Sequence, residues 1–344
     1  MAYGVSIVLC DQLLCTDKQP PSCPIDATRD GGPLKMVGII MVVYQYVLLV
    51  CDFVHLIVLS AFLMLKSLWQ LMFPLPLKAI TGEVVLVTGA GHGIGRELGL
   101  QFARLGARVV CLDINEANNN KTVADIGKEG GSAWGYRCDV SSKEDVHAVS
   151  DKIRKDVGDV TILVNNAGIM PCKPFLKHTP EDVHNIFKVN VFSHFWTVQE
   201  WLPSFVVAGR GHVVAVSSIC GLMATSNLVP YCSSKHAVKG LMDGLTEEMR
   251  YAGRNPDIKF TGVYPFIVDT GLAKKPRIRF PSFNPILTAE YCATKIIEGV
   301  RSEEEIVCIP SKDYYGHILM HLIPRRVRRA FLDFMDTGVD EADK

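Results

Sequence analysis

One short turn limits the folds open to this chain more than any other feature: Thr88-Gly89-Ala90-Gly91-His92-Gly93-Ile94-Gly95. It follows an apolar run over residues 83–88 (EVVLVT) and opens a helical stretch over 93–105. Glycine has no Cβ, so the backbone can reverse sharply there and its N–H groups can meet another group closely. A strand, a glycine turn and a helix, in that order, are the first unit of a parallel α/β sheet.

The same alternation continues to about residue 310. Strands are expected at 107–112, 135–139, 161–164, 212–217, 258–263 and 305–309. Helices are expected at 116–127, 142–157, 181–205, 231–251 and 289–300, with a looser region after 263. This pattern predicts an α/β fold: a Rossmann-like, doubly wound parallel sheet with helices on both faces. The chain of 344 residues then divides into a flexible arm (1–36), a hydrophobic anchor (37–72), a catalytic domain (81–310) and a C-terminal amphipathic, basic extension (311–344).

The anchor is the most apolar stretch, residues 37–65, interrupted by Gln45, Asp52 and His55. A helix needs about 20 apolar residues to cross a bilayer core. A single tilted span is the favoured reading. A hairpin broken near Asp52 is the alternative, because a carboxylate at mid-bilayer costs roughly 2.5–3.5 kcal/mol. A buried core helix is disfavoured, since the run has no polar face. Phe73-Pro74-Leu75-Pro76 ends the helix and stiffens the linker.

Lys plus Arg equals Asp plus Glu, 36 against 36, so no global field draws the chain to nucleic acid. The eleven cysteines show no metal-ligand spacing, and a disulfide framework is not expected; free thiols in a reducing compartment are. No metal site is read from the sequence.

The glycine turn reads as a cradle for phosphate oxygens, with Gly89, His92, Gly93, Ile94 and Gly95 as its residues. Asp113 ends the second strand about 20 residues downstream, where a carboxylate accepts hydrogen bonds from ribose hydroxyls and repels a 2′-phosphate. The expected cofactor is therefore NAD rather than NADP. Asp139 and Val140 follow the third strand, at the adenine edge. Asn165-Asn166-Ala167-Gly168 follows the fourth, placing Asn166, Ala167 and Gly168 along the cofactor. Tyr231 and Lys235 lie four residues apart and share one helix face, and Ser218 ends the strand before them. Free tyrosine titrates near pH 10, too high for a ready base. A neighbouring ammonium lowers it, and a serine hydroxyl orients the substrate oxygen.

Together these residues resemble the short-chain dehydrogenase/reductase family from about residue 81 to about 310. The shared motifs are TGxxxGxG at Thr88–Gly95, NNAG at Asn165–Gly168 and YxxxK at Tyr231–Lys235. The resemblance implies Asn190, in KVNVF, as a fourth catalytic residue holding a water that relays protons to Lys235. It implies that Ser218 polarises the substrate oxygen, that Tyr231 and Lys235 also hold the nicotinamide ribose, and that the chain forms a homodimer through the helices of Asn190 and Tyr231. After the sixth strand the family carries Pro-Gly beside the nicotinamide. Here Pro265-Phe266 stands instead, with Val268 and Thr270 in the cofactor-binding set.

The apolar anchor and the phrases FARLGARVVCLDIN and PFIVDTGL resemble the membrane-attached subgroup of epidermal retinol dehydrogenases and lipid-droplet 17β-hydroxysteroid dehydrogenases. That resemblance implies a lipophilic alcohol as substrate. It also implies a place on the endoplasmic reticulum or lipid-droplet surface, with the catalytic domain in the cytosol. The competing readings are an NADP-dependent carbonyl reductase and a membrane scaffold without turnover. Two basic, apolar stretches, 271–285 and 314–335, read as a lid or headgroup patch and as an interfacial or surface helix.

Overall fold

The computed structural model describes residues 32–73, 76–252 and 257–341, so the expected arm lies almost wholly outside the described residues. The chain divides into two units at Pro74/Leu75. Helix α1 (Gly32–Met72) has 41 residues and runs unbroken through Asp52, where a hairpin needs a turn. Its segment Met36–Gln70 has a mean hydropathy of 2.5 and buries none of its side chains within the chain. At 1.5 Å per residue the helix is about 60 Å long, ample for a bilayer core of about 30 Å.

The second unit begins with β1 (Val84–Thr88), α2 (Gly93–Arg104), β2 (Arg108–Asp113), α3 (Glu116–Lys128), β3 (Ser132–Arg137), α4 (Lys143–Asp156) and β4 (Ile162–Asn165). It continues with α5 (Pro180–Phe187), α6 (Ser193–Ala208), β5 (Gly211–Val216), α7 (Val229–Tyr251) and β6 (Ile258–Pro265). Short strands β7 (Val268–Asp269), β8 (Pro276–Ile278) and β9 (Leu287–Thr288) follow, then α8 (Ala289–Arg301), β10 (Ile306–Ile309), α9 (Lys312–Leu322), α10 (Arg325–Met335) and β11 (Thr337–Val339).

Seven strands form one parallel sheet in the order β10-β6-β5-β4-β1-β2-β3. Central strands are covered on both faces, which is why β1 is apolar throughout and wholly buried. On one face Leu98 and Phe102 of α2 and Ile296 and Ile297 of α8 pack against Val85 and Val87. On the other, Ile153, Trp201, Phe205 and Met242 pack against Leu86 and Leu163. The order reverses between β1 and β4, and the crevice at that point is where such sheets bind ligands.

Three local differences from the sequence reading have physical causes. The third strand is at Ser132–Arg137, earlier than 135–139, because this edge strand is half-exposed and carries little apolar alternation. The expected long helix 181–205 is two helices joined by a π turn, Lys188–Phe192, which carries Asn190. The extension folds as two helices and a strand, and α9 and α10 leave Leu319, Leu322, Phe331 and Phe334 exposed.

Candidate active site

The glycine turn carries left-handed backbone at Gly89 (φ +67°) and Gly93 (φ +56°), a conformation that disfavours side chains. A Cβ on Gly95 would stand 2.1 Å from the Gly89 carbonyl oxygen, so the first helix turn lies directly against the loop. The turn is tied to β4. Thr88 Oγ1 accepts from the Asn166 and Ala167 amides at 2.9 and 3.0 Å, and Asn166 Nδ2 donates to the Thr88 carbonyl at 2.9 Å. Asn165, one residue earlier, is buried and accepts from Thr197 Oγ1 at 2.8 Å.

Asp113 is buried and accepts two amides, Gly91 N–H on Oδ2 and Asn115 N–H on Oδ1, both at 2.8 Å. Asp139 accepts the Ser141 amide at 3.0 Å, beside buried Val140.

Ser218 stands two residues beyond β5, and its Oγ accepts the Cys220 amide at 3.2 Å. Tyr231 is buried in one apolar cluster with Ile219 and Cys220, the residues that follow Ser218. Lys235, 3% exposed, donates from Nζ to the Val216 carbonyl at 3.0 Å and stands 5.6 Å from the Tyr231 ring centroid. Asn190 is fully buried. Its Nδ2 donates to the Ile169 carbonyl (2.9 Å) and Ser234 Oγ (3.1 Å), and its Oδ1 accepts the Ile169 amide (2.8 Å). Gly168 separates Asn190 from Lys235: a Cβ there would meet Asn190 Oδ1 at 3.4 Å and Lys235 Nζ at 3.6 Å.

Burial shapes the titration of the pair. It pushes the Tyr231 phenol above its ordinary value, while the neighbouring Ser218 hydroxyl pulls the other way. It lowers the Lys235 ammonium to about 8. The sequence reading expects a phenol lowered by the ammonium. In the structure desolvation dominates instead.

One cavity of about 670 Å³ joins most of these groups. Gly89, His92, Gly93, Ile94, Asp113, Asp139, Val140, Asn166, Ala167 and Gly168 line it, as do Ser218, Tyr231, Lys235, Pro265, Val268 and Thr270. Gly95 and Asn190 stand behind the wall, packing Gly89 and Gly168 from the rear. Phe266 lines the cavity where the family has glycine, and its amide donates to the Ile309 carbonyl at 2.8 Å. Arg277 and residues 332, 333 and 335, from the stretches read as a lid or headgroup patch and as an interfacial or surface helix, also line it. Sequence reasoning missed Met223, Leu228 and residues 336–339, which line it as well. No local signal marks them, because β11 reaches the site by pairing with the distant β8.

Among the described residues no cluster of His, Cys, Asp and Glu is arranged to hold a metal, and all the cysteines are free. The donor set fits a dinucleotide. A glycine-rich turn at a helix N-terminus suits a pyrophosphate, and a buried carboxylate at the next strand end suits a ribose.

The seven-stranded sheet, with this crevice and a Ser–Tyr–Lys group at its mouth, defines an NAD(P)-binding oxidoreductase that interconverts alcohols and carbonyls. The chain belongs to the short chain dehydrogenase family, whose sequence profile it matches over residues 83–279. It is 37% identical to human epidermal retinol dehydrogenase 2 over 293 residues, covering 83% of this chain and 94% of that one. It is 36% identical over 279 residues to Bos taurus short-chain dehydrogenase/reductase family 16C member 6 (81% and 88% covered). With human 17-beta-hydroxysteroid dehydrogenase 13 it shares 37% over 258 residues (75% and 84%). A Burkholderia phymatum short chain dehydrogenase/reductase in complex with NAD superposes with a TM-score of 0.65 at 25% identity, covering 77% of this chain and 98% of that one. A 7α-hydroxysteroid dehydrogenase complexed with NADH and a 7-oxo bile acid superposes at 0.61 and 28%, covering 67% and 93%.

Proposed function

We propose that this chain is an NAD-dependent dehydrogenase for a lipophilic alcohol, retinol or a hydroxysteroid, held at a membrane by its N-terminal helix. The observation that carries the reading is the convergence of Ser218, Tyr231 and Lys235 on one cavity that Asp113 and the glycine turn also line, with Lys235 Nζ 5.6 Å from the Tyr231 ring centroid.

Bound NAD supplies a two-electron hydride acceptor at this site. Ser218 Oγ orients the substrate oxygen. Tyr231 Oη takes the hydroxyl proton in oxidation and returns it in reduction. Burial keeps the phenol protonated at neutral pH in the free chain, the form that serves carbonyl reduction. Lys235 remains largely charged at pH 7, since its value is about 8, and its field favours the phenolate that oxidation requires. Asn190 acts through the backbone of Ile169 and through Ser234, fixing the loop after β4 against the helix that bears Tyr231. By the family's pattern, Asn190 would also hold a water that relays protons to Lys235.

Asp113 supports NAD over NADP. Its carboxylate is buried and committed to two amides, so a 2′-phosphate there meets an anion that cannot turn away. The apolar side chains of Met223, Leu228, Leu272 and Met335 on the cavity wall support a lipophilic substrate, as do the names of the relatives. The length and hydropathy of α1 support attachment to a membrane. Its place on the endoplasmic reticulum or a lipid droplet, with the catalytic unit in the cytosol, belongs to the reading by resemblance to the membrane-attached subgroup. The boundaries 1–36, 37–72, 81–310 and 311–344 and a homodimer through the Asn190 and Tyr231 helices belong to the same proposal.

The test is turnover by the detergent-solubilised full chain with NAD and with NADP over retinol, hydroxysteroids and simple alcohols. The expected result is NADH formation with a lipid alcohol. A preference for NADP contradicts the Asp113 argument. Cofactor binding without turnover of any alcohol or carbonyl favours the scaffold reading.

A further inference from the structure

The family match ends at residue 279, but the cavity wall continues into the C-terminal segment. Leu332, Met335 and Val339 line it, and Val339 is buried in the same apolar cluster as Leu228 and Tyr231. This segment is tied down on two sides. On one side β11 pairs antiparallel with β8, matching Thr337 to Ile278 and Val339 to Pro276. The Asp340 amide donates to the Lys275 carbonyl at 2.9 Å. Arg277, central in β8, reaches Asp336 at 3.1 Å and Asp340 at 2.8 Å, the two carboxylates that bracket β11. On the other side Asn227 Nδ2 donates to the Val339 carbonyl at 3.1 Å, and Cys172 Sγ donates to the Asp340 carbonyl at 3.3 Å. Lys177 meets Glu341 at 2.8 Å.

We propose that residues 332–341 are a strap across the substrate end of the cavity that selects alcohols by apolar bulk, with Arg277 as its clip. The proposal rests on the alcohol-site reading above. A segment fastened to both sides of a cavity closes it. Beside Asp333, Asp336 and Thr337 the strap brings Leu332, Met335 and Val339 to the wall, and Arg277 is neutralised by two carboxylates, so an anionic substrate finds no free cation there. An extended apolar alcohol whose hydroxyl meets Ser218 and Tyr231 gains contact with Leu332, Met335 and Val339. A compact alcohol ends before them. The Arg277 ion pairs are nearly half-exposed, 44% against 51% and 48%, and ion pairs in that setting are weak and screened by salt. The clip therefore releases without unfolding the body.

The test uses the detergent-solubilised full chain with NADH bound, and retinol binding read by its own fluorescence. Cyclohexanol turnover serves as the compact control. Met335→Trp fills the apolar wall from a half-buried position, and Arg277→Gln releases the clip. Met335→Trp is expected to weaken retinol binding about tenfold or more and to leave the cyclohexanol KM within about twofold. Arg277→Gln is expected to speed retinol release several-fold with an unchanged Kd for NADH. Retinol binding like the parent's in both variants overturns the strap, as does equal loss of NADH and retinol binding. Failure of the parent to bind retinol overturns it as well. The binding arm requires no hydride transfer, so a chain that binds retinol through the strap but oxidises nothing refutes the proposed activity alone.

Discussion

The amide of Gly91 donates to Asp113 Oδ2 at 2.8 Å, so the glycine turn and the end of β2 are one hydrogen-bonded unit. Asp113 thus braces the turn, and in the proposed function it also sets the charge facing the adenosine ribose. Exchanging Asp113→Ala together with Ile114→Arg, at an exposed neighbour that also lines the cavity, removes the anion and adds a cation. NADP use is expected to improve relative to NAD by at least tenfold in kcat/KM. The cost is a lower melting temperature, since hydrogen bonds to a charged group contribute about 1.5–3 kcal/mol each. Unchanged cofactor preference in the folded variant contradicts the role given to Asp113.

Alcohol oxidation requires Tyr231 to give up its proton, and burial holds that proton on. The kcat/KM for oxidation is therefore expected to climb from about pH 6 to about pH 9 without a plateau. Reduction, which uses the protonated phenol, stays level to about pH 8. It declines above that, where Lys235 also loses its charge. Parallel pH–rate profiles in both directions check this, and oxidation fastest at the acid end contradicts it.

Two buried histidines make the body sensitive to acid. His194 and His212 are lowered to about 3, chiefly by desolvation, from 6.5. Their folded values lie below their unfolded ones, so between about 6.5 and about 3 the unfolded chain binds protons that the folded chain refuses. Stability contributed by the neutral rings is present above 6.5 and is lost as pH falls through that window. Neither ring nitrogen of His194 has a hydrogen-bond partner among the described residues. His194→Leu is expected to flatten the acid limb of a melting-temperature-versus-pH curve, and an unaltered slope contradicts the assignment.

Much of the sheet and of the cofactor groove is legible in the sequence because both are local. Thr88–Gly95, Asn165–Gly168 and Tyr231–Lys235 each carry their geometry in a few consecutive residues. The π turn at Asn190 is not legible, since one extra residue in a helical turn leaves the apolar pattern on either side intact. The strap at β11 is not legible either. Three short residues, Thr337, Gly338 and Val339, become a strand only because β8 presents a free edge to them. The upward shift of Tyr231 is equally absent from the sequence, because desolvation depends on what packs around the ring.

Two glycines test the packing of the groove in opposite directions. Gly95→Ala places a methyl 2.1 Å from the Gly89 oxygen and is expected to cost about 3 kcal/mol and to weaken NADH binding. Gly244→Ala, on the exposed face of α7 with nothing within 4 Å, is expected to gain about 1 kcal/mol from helix propensity and to leave binding alone. Denaturant melts with NADH titrations separate the two, and equal effects contradict the close-contact account of the turn.

The central claim is that Tyr231 handles the proton. The most direct measurement compares Tyr231→Phe with the parent chain for NAD-linked oxidation of a lipid alcohol, with NADH affinity measured in parallel by fluorescence. The account predicts a fall in kcat of about 10²–10⁴-fold with NADH binding unchanged, because only the proton-transfer group is lost. A Tyr231→Phe chain that retains the parent's turnover contradicts it.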